Sequence, residues 1–172
     1  EEEVGGNVRD RIFVDWHEID AGDAWENRLR NGLSKSKCLV SLLLPTYFES
    51  NWCTREFAVF ENRSRRNGML TVERPEGLII PVALHHGNRF PQVVNSLQML
   101  DYKQFYYPNF DGIRKRKMYA RLQDELRQLA QTVAQVIRQA PEWNSDWMQD
   151  EWLELPTGHL RIDNFSVPQP RI

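Results

Sequence analysis

The sequence predicts an α/β fold in layers, with a mostly parallel sheet, and three observations lead there. Short β-prone runs at 11–16, 38–44, 77–84 and 100–105 are separated by segments of helical periodicity, the pattern of strands joined by crossover helices. The run Cys38–Leu44 is almost continuously apolar and is closed by Pro45, as a central strand covered by helices on both faces would be. A long segment with apolar residues at Met118, Leu122, Leu126, Leu129, Val133 and Val136 forms a closing helix that Pro141 stops.

Taken in order, Arg11–Trp16 is the first strand and residues 17–23 are an exposed loop. Asp23 is placed to cap a helix over Ala24–Lys35, in which Trp25, Leu29 and Leu33 recur every four residues. After the strand at 38–44, Ser50 or Asn51 caps a helix over Trp52–Asn62, with Trp52, Glu56 and Val59 or Phe60 along one face. Gly77–Leu84 is a third strand, either near an edge or irregular, because Pro81 lacks a ladder donor. Leu100–Phe105 is a short fourth. Right-handed crossovers place the loops at 17–23 and 45–51 at carboxyl ends of strands, where such sheets collect ligands.

Residues 1–140 read as one domain and 141–172 as a C-terminal extension or linker in which Trp143, Trp147 and Trp152 sit among acidic residues. Two uses are open for those rings: packing against the chain's own domain, or docking another domain or chain.

Composition narrows the function classes. The 172 residues are 41% hydrophobic and 27% charged, which excludes a disordered chain. A net charge of -2 supplies no field for a polyanion, and the cluster Arg114–Lys117 reads as a solvated helix start or a contact to phosphate or an acidic partner. Two cysteines, Cys38 and Cys53, make neither a zinc site nor a disulfide framework, and no metal is expected. His17, His85, His86 and His159 lack metal spacing and are expected at the surface. With no long apolar span and an acidic start, a cytoplasmic protein is the expectation.

Three elements in a fixed order carry a resemblance: the acidic stretch Phe13–Trp25 with Gly22, the strand from Cys38 ending in Leu44-Pro-Thr-Tyr-Phe48, and Ser50-Asn-Trp-Cys-Thr-Arg-Glu56. Together they resemble a bacterial Toll/interleukin-1 receptor (TIR) domain over about residues 1–140. The resemblance implies a flavodoxin-like three-layer fold. It also implies that the first strand of that fold is lacking in this numbering: Glu1–Val4 is similar to the end of the family's first helix, so preceding residues are expected. The missing strand would lie between residues 11–16 and 38–44, which should therefore not pair with each other. Animal signalling members carry a proline where this chain has Ala21, so the likeness is to the enzymatic branch.

For that branch the resemblance implies an NAD+ nucleosidase of immune defence, activated when TIR domains assemble, and part of a larger protein. Glu56 takes the place of the catalytic glutamate. Trp52, Trp25 and Asp15 are implied to bind substrate, and the loop Ile19, Asp20, Ala21, Gly22 and Asp23 to mediate assembly. NAD+ is substrate, with no separate cofactor. The partners implied are NAD+ and other TIR domains, with neither membrane nor nucleic acid.

The chemistry is compatible with these residue types. Nicotinamide departs as a neutral molecule from a pyridinium, so no general acid is needed, and one carboxylate can stabilise the oxocarbenium-like ribosyl cation. Trp52, four residues before Glu56, shares its helix face, where an indole can stack on the cationic ring. The alternative for the pair is structural: a core-anchoring Trp and an acid that is solvated or paired with Arg55 or Arg63. The alternatives for the chain are a catalytically inert TIR interaction module or a flavodoxin-like domain for another nucleotide; the lack of a Gly-rich phosphate loop speaks against the second.

Overall fold

The computed structural model describes residues 13, 25–86, 90–106, 114–145, 147 and 156–160, with the backbone alone for 25, 26 and 114–116. The first expected strand apart from Phe13, the loop at 17–23 and the pairing of residues 11–16 lie outside the described residues.

Helix α1 (Trp25–Lys35) leads into strand β1 (Leu39–Leu43). A 3-10 turn at Tyr47–Glu49 then feeds helix α2 (Asn51–Arg66), followed by strand β2 (Ile79–Ala83), the short helix α3 (Gln92–Asn95), strand β3 (Leu100–Asp101) and helix α4 (Arg114–Gln139). Among the described residues the sheet has the order β1-β2-β3, parallel throughout, with Leu39 opposite Ile79 and Val82 opposite Leu100. The α/β fold with a parallel sheet is thus as the sequence predicts.

Four local expectations are corrected. The first concerns the edge alternative for Pro81, which lies in the middle one of the three described strands, buried on both faces. The bonds framing the β1-β2 ladder, Leu39 N–H to the Leu78 carbonyl and Leu84 N–H to the Leu43 carbonyl, turn the even-numbered residues of β2 toward β1. Pro81 therefore points its missing donor at the β3 side, where pairing begins only at Val82.

Secondly, β1 is not covered on both faces. Ser41 and Leu43 are buried, but Val40 and Leu42 are 38% and 54% exposed, although their register partners Ile80 and Val82 are buried. The layer that covers this face of β2 stops short of β1.

Thirdly, the last strand has two residues, because the chain turns at Tyr102 into a 3-10 turn over Lys103–Phe105. Tyr102 is buried and its hydroxyl donates to the Glu125 carbonyl at 2.5 Å, tying the sheet to α4.

Finally, α2 runs four residues beyond Asn62. It ends at Gly68, whose φ of 64° is open to glycine at little cost, with Gly68 N–H on the Arg65 carbonyl and Met69 N–H on the Ser64 carbonyl. Buried Met69 completes this Schellman stop.

The core lies between α2 and the sheet, around Phe57, Phe60, Leu43, Leu78 and Val94. Ser64, fully buried, donates to the Phe60 carbonyl at 2.6 Å and accepts from Leu78 N–H at 3.0 Å, which pins the entry of β2 to α2. On α1, Gly32 leaves room for the ring of Phe13, whose atoms would lie 2.7 Å from a β-carbon there. A Gly in a helix interior is disfavoured by about 0.5–1 kcal/mol relative to Ala, which this close approach explains.

The asymmetry of β1 predicts unequal costs for neighbouring leucines. Leu43→Ala should lose about 2–5 kcal/mol in urea unfolding, whereas Leu42→Ala should stay within about 1 kcal/mol of the parent.

Candidate functional site

The site is built where β1 hands the chain to α2. Pro45 ends the strand run, and the 3-10 turn buries Phe48 edge-on against Tyr47 (ring centroids 4.9 Å apart), Phe57 (5.4 Å) and Phe90 (6.3 Å). Ser50 is then the N-cap: it leaves the helical region at φ -77°, ψ 121°, and its Oγ accepts from Cys53 N–H at 3.4 Å. Thr54 reinforces the first turn by donating to the Ser50 carbonyl at 2.7 Å. A buried aromatic cluster and two hydroxyls thereby fix the direction in which α2 leaves the sheet.

Trp52 and Glu56 lie on this helix one turn apart, about 6 Å along its axis. Both are half-buried, and Trp52 packs against the hydrophobic core. The core contact is what the structural alternative requires of Trp52. Half-burial also leaves part of each side chain at the surface near the carboxyl end of β1.

Trp25 is the first residue of α1, while Asp15 and Ile19–Asp23 lie outside the described residues. The two helices are joined near their carboxyl ends. Arg63 of α2 donates from Nη1 to the Leu33 carbonyl at 3.3 Å and the Ser36 carbonyl at 2.9 Å, and from Nη2 to Leu33 at 3.3 Å. Both helices deliver their carboxyl ends to the start of a parallel strand. Trp25 opens α1, and Trp52 and Glu56 lie in the first half of α2.

The remaining carboxyl ends carry His85 and His86, exposed after β2 with rings edge-on at 5.9 Å, and Asp101 at the end of β3. The hydrogen bond from Lys103, whose Nζ is 3.0 Å from Oδ2, holds the Asp101 carboxyl below its ordinary value, with His86 adding a smaller effect. Among the described residues no three His, Cys, Asp or Glu side chains are grouped to hold a metal ion. Cys38 and Cys53 are free thiols, and burial pushes the Cys38 thiol up. No helix among the described residues is long and apolar enough to cross a membrane.

Sequence reasoning missed the buried polar residues of α2. Arg63, Ser64 and Glu61 stand in the run Glu61-Asn-Arg-Ser-Arg-Arg66, which has the composition of a solvated face. The one available signal was Gly68, which as a helix stop makes 61–66 helical and continues the buried stripe of Phe57 and Phe60.

A parallel sheet with crossover helices defines an α/β domain, and the half-buried Trp52 and Glu56 stand on the helix that leaves its first described strand. The sequence matches the model of the TIR domain across residues 7–116, and the chain belongs to that family. No curated protein and no solved structure matches it.

Because Ser50 caps the helix that carries the pair, Ser50→Ala should cost about 1 kcal/mol in thermal or urea unfolding. Ser50→Asp should restore most of the loss.

Proposed function

We propose that this TIR domain is an NAD+ nucleosidase and that Glu56 is its catalytic residue. The observation that supports this most is the placement of Trp52 and Glu56: half-buried, on one helix, one turn apart, beside the carboxyl end of β1. The motif that resembles the enzymatic branch falls on this turn, within the span that matches the family.

In the proposed reaction the bond between ribose C1′ and the pyridinium nitrogen breaks, and its electron pair goes to nicotinamide. Water adds its oxygen to C1′ and releases one proton, giving ADP-ribose; attack by a nucleophilic atom of the adenine ring in place of water gives a cyclic product. Glu56, ionised, stabilises the positive charge that develops on the ribosyl group or holds the ribose hydroxyls. Trp52 stacks on the cationic ring, an attraction that fades as nicotinamide becomes neutral, so it acts mainly on binding. Asp15 and Trp25 complete the substrate contacts. NAD+ is the substrate and no further cofactor is invoked.

Activity is proposed to require assembly with other TIR domains, a neighbour's loop at Ile19–Asp23 closing the pocket. A role in immune defence, in the cytoplasm where NAD+ is abundant, belongs to the same proposal. The packing of Trp52 on the core favours a second reading, an inert interaction module in which the pair is structural.

Chromatographic assay of nicotinamide release by the assembled protein separates the two. Glu56→Gln should lower turnover at least about 100-fold, the scale of losing one pre-organised electrostatic group. Trp52→Phe should raise KM more than it lowers kcat. An assembled wild-type protein that releases no nicotinamide, or a Glu56→Gln variant as fast as wild type, points to the inert module.

A further inference from the structure

The described residues of the C-terminal segment pack on the end of α1, the carboxyl half of α2 and α3. The Trp143 indole N–H donates to the Ser34 carbonyl of α1 at 3.1 Å. The Trp147 ring lies over the Arg63 guanidinium at 4.1 Å, with the Phe60 ring 4.8 Å from the same carbon. His159 Nε2 is 2.8 Å from Oε2 of buried Glu61, whose Oε1 accepts from Arg65 Nε at 3.0 Å and Nη2 at 2.8 Å. Leu160 is fully buried in the core beside α3. All four residues lie beyond the span that matches the family.

Arg63 explains why these contacts matter. It is 2% exposed, and a buried cation is costly unless its field is answered. Its Nη1 and Nη2 meet the carbonyls at the negative end of α1, and two aromatic rings lie within cation–π distance of its carbon. Phe60 belongs to α2 itself, whereas Trp147 is supplied by the C-terminal segment. Without that ring one face of the guanidinium opens to water, which competes for its donors and weakens its hold on Leu33 and Ser36.

We propose that Trp143, Trp147, His159 and Leu160 together act as a strap and that Trp147, acting through Arg63, is a positioning residue that fixes α1 against α2. The clamp sits at the carboxyl ends of two helices, and their amino ends carry Trp25 on one and Trp52 and Glu56 on the other. Loosening it changes the separation of those amino ends. The strap thereby regulates the site: docked, it holds the pocket walls at their working distance, and displaced, it releases them. The consequence for turnover rests on the NAD+ nucleosidase reading; the clamp between the helices does not.

Hydrogen exchange measured by mass spectrometry on the full chain tests the clamp without using activity. Trp147→Leu keeps much of the volume and removes the π face, and should speed exchange of the amides at 31–36 about tenfold, the scale of a desolvated cation–π contact. Amides of β2 should be unaffected, and Trp147→Phe should stay within about twofold of wild type. Arg63→Lys, which keeps the charge and loses the planar fork, should reproduce the Trp147→Leu pattern if that variant fails to fold.

Unchanged exchange at 31–36 in Trp147→Leu, or equal acceleration in α1 and β2, overturns the strap. In the assembled protein Trp147→Leu should lower kcat about tenfold with KM within about twofold. Unchanged turnover alongside faster α1 exchange would leave the clamp standing and refute its control of the site. Absence of turnover in wild type refutes the nucleosidase reading instead, and the exchange result stands by itself.

Discussion

The guanidinium of Arg63 is the point on which the arrangement of this domain turns. A helix joined to a strand at each end has its direction fixed by topology, but its offset from a neighbouring helix is not. Here the offset is set by donors on one helix and carbonyls on the other. Arg serves this purpose where Lys would not, because one planar group can donate along its edge while aromatic rings lie against it. The surrounding polar residues follow from it: Ser64, one residue on, ties the same stretch of α2 to the entry of β2, and Glu61 anchors His159 of the C-terminal segment.

Seen from the sheet, the carboxyl half of α2 is rigidly held and its amino half is aimed. Phe48 in its aromatic cluster and Ser50 at the cap determine where α2 begins, and Ser64, Arg63 and the Gly68 stop determine where it ends. Trp52 and Glu56 fall between these fixed points, so their backbone is held at both ends. A pre-organised carboxylate is what charge stabilisation in a transition state demands. The opposite face of β1 is different, with Val40 and Leu42 at the surface over a strand whose partner β2 is fully covered.

What was legible in the sequence depended on whether a residue's role was set locally. The parallel α/β class, α1 from its four-residue repeat, the β1 run and the Ser50 cap all express periodicity or cap chemistry, and they are present. Covering of β1 on both faces was not legible, because an apolar run records what a strand can bury and not which layers reach it. Pro81, for which an edge and an irregular strand were both open, shows the same limit: a missing donor is harmful only on the side that is paired, and pairing is a property of the whole sheet. The pair Trp52 and Glu56 was singled out by its motif alone, since neither periodicity nor a cap marks it. Arg63 was hidden among charges, since burial of a cation depends on Trp147, 84 positions away in the chain.

The family membership and the strap meet at one question, whether Arg63 and Trp147 act as a unit. A double-mutant cycle in urea unfolding asks it directly, using Arg63→Met, Trp147→Leu and the double variant. The two single losses should exceed the double loss by about 1–2 kcal/mol, the coupling of a buried cation with its ring. Additive losses would contradict the account, since the C-terminal segment would then pack on the domain without holding the residue that joins its helices.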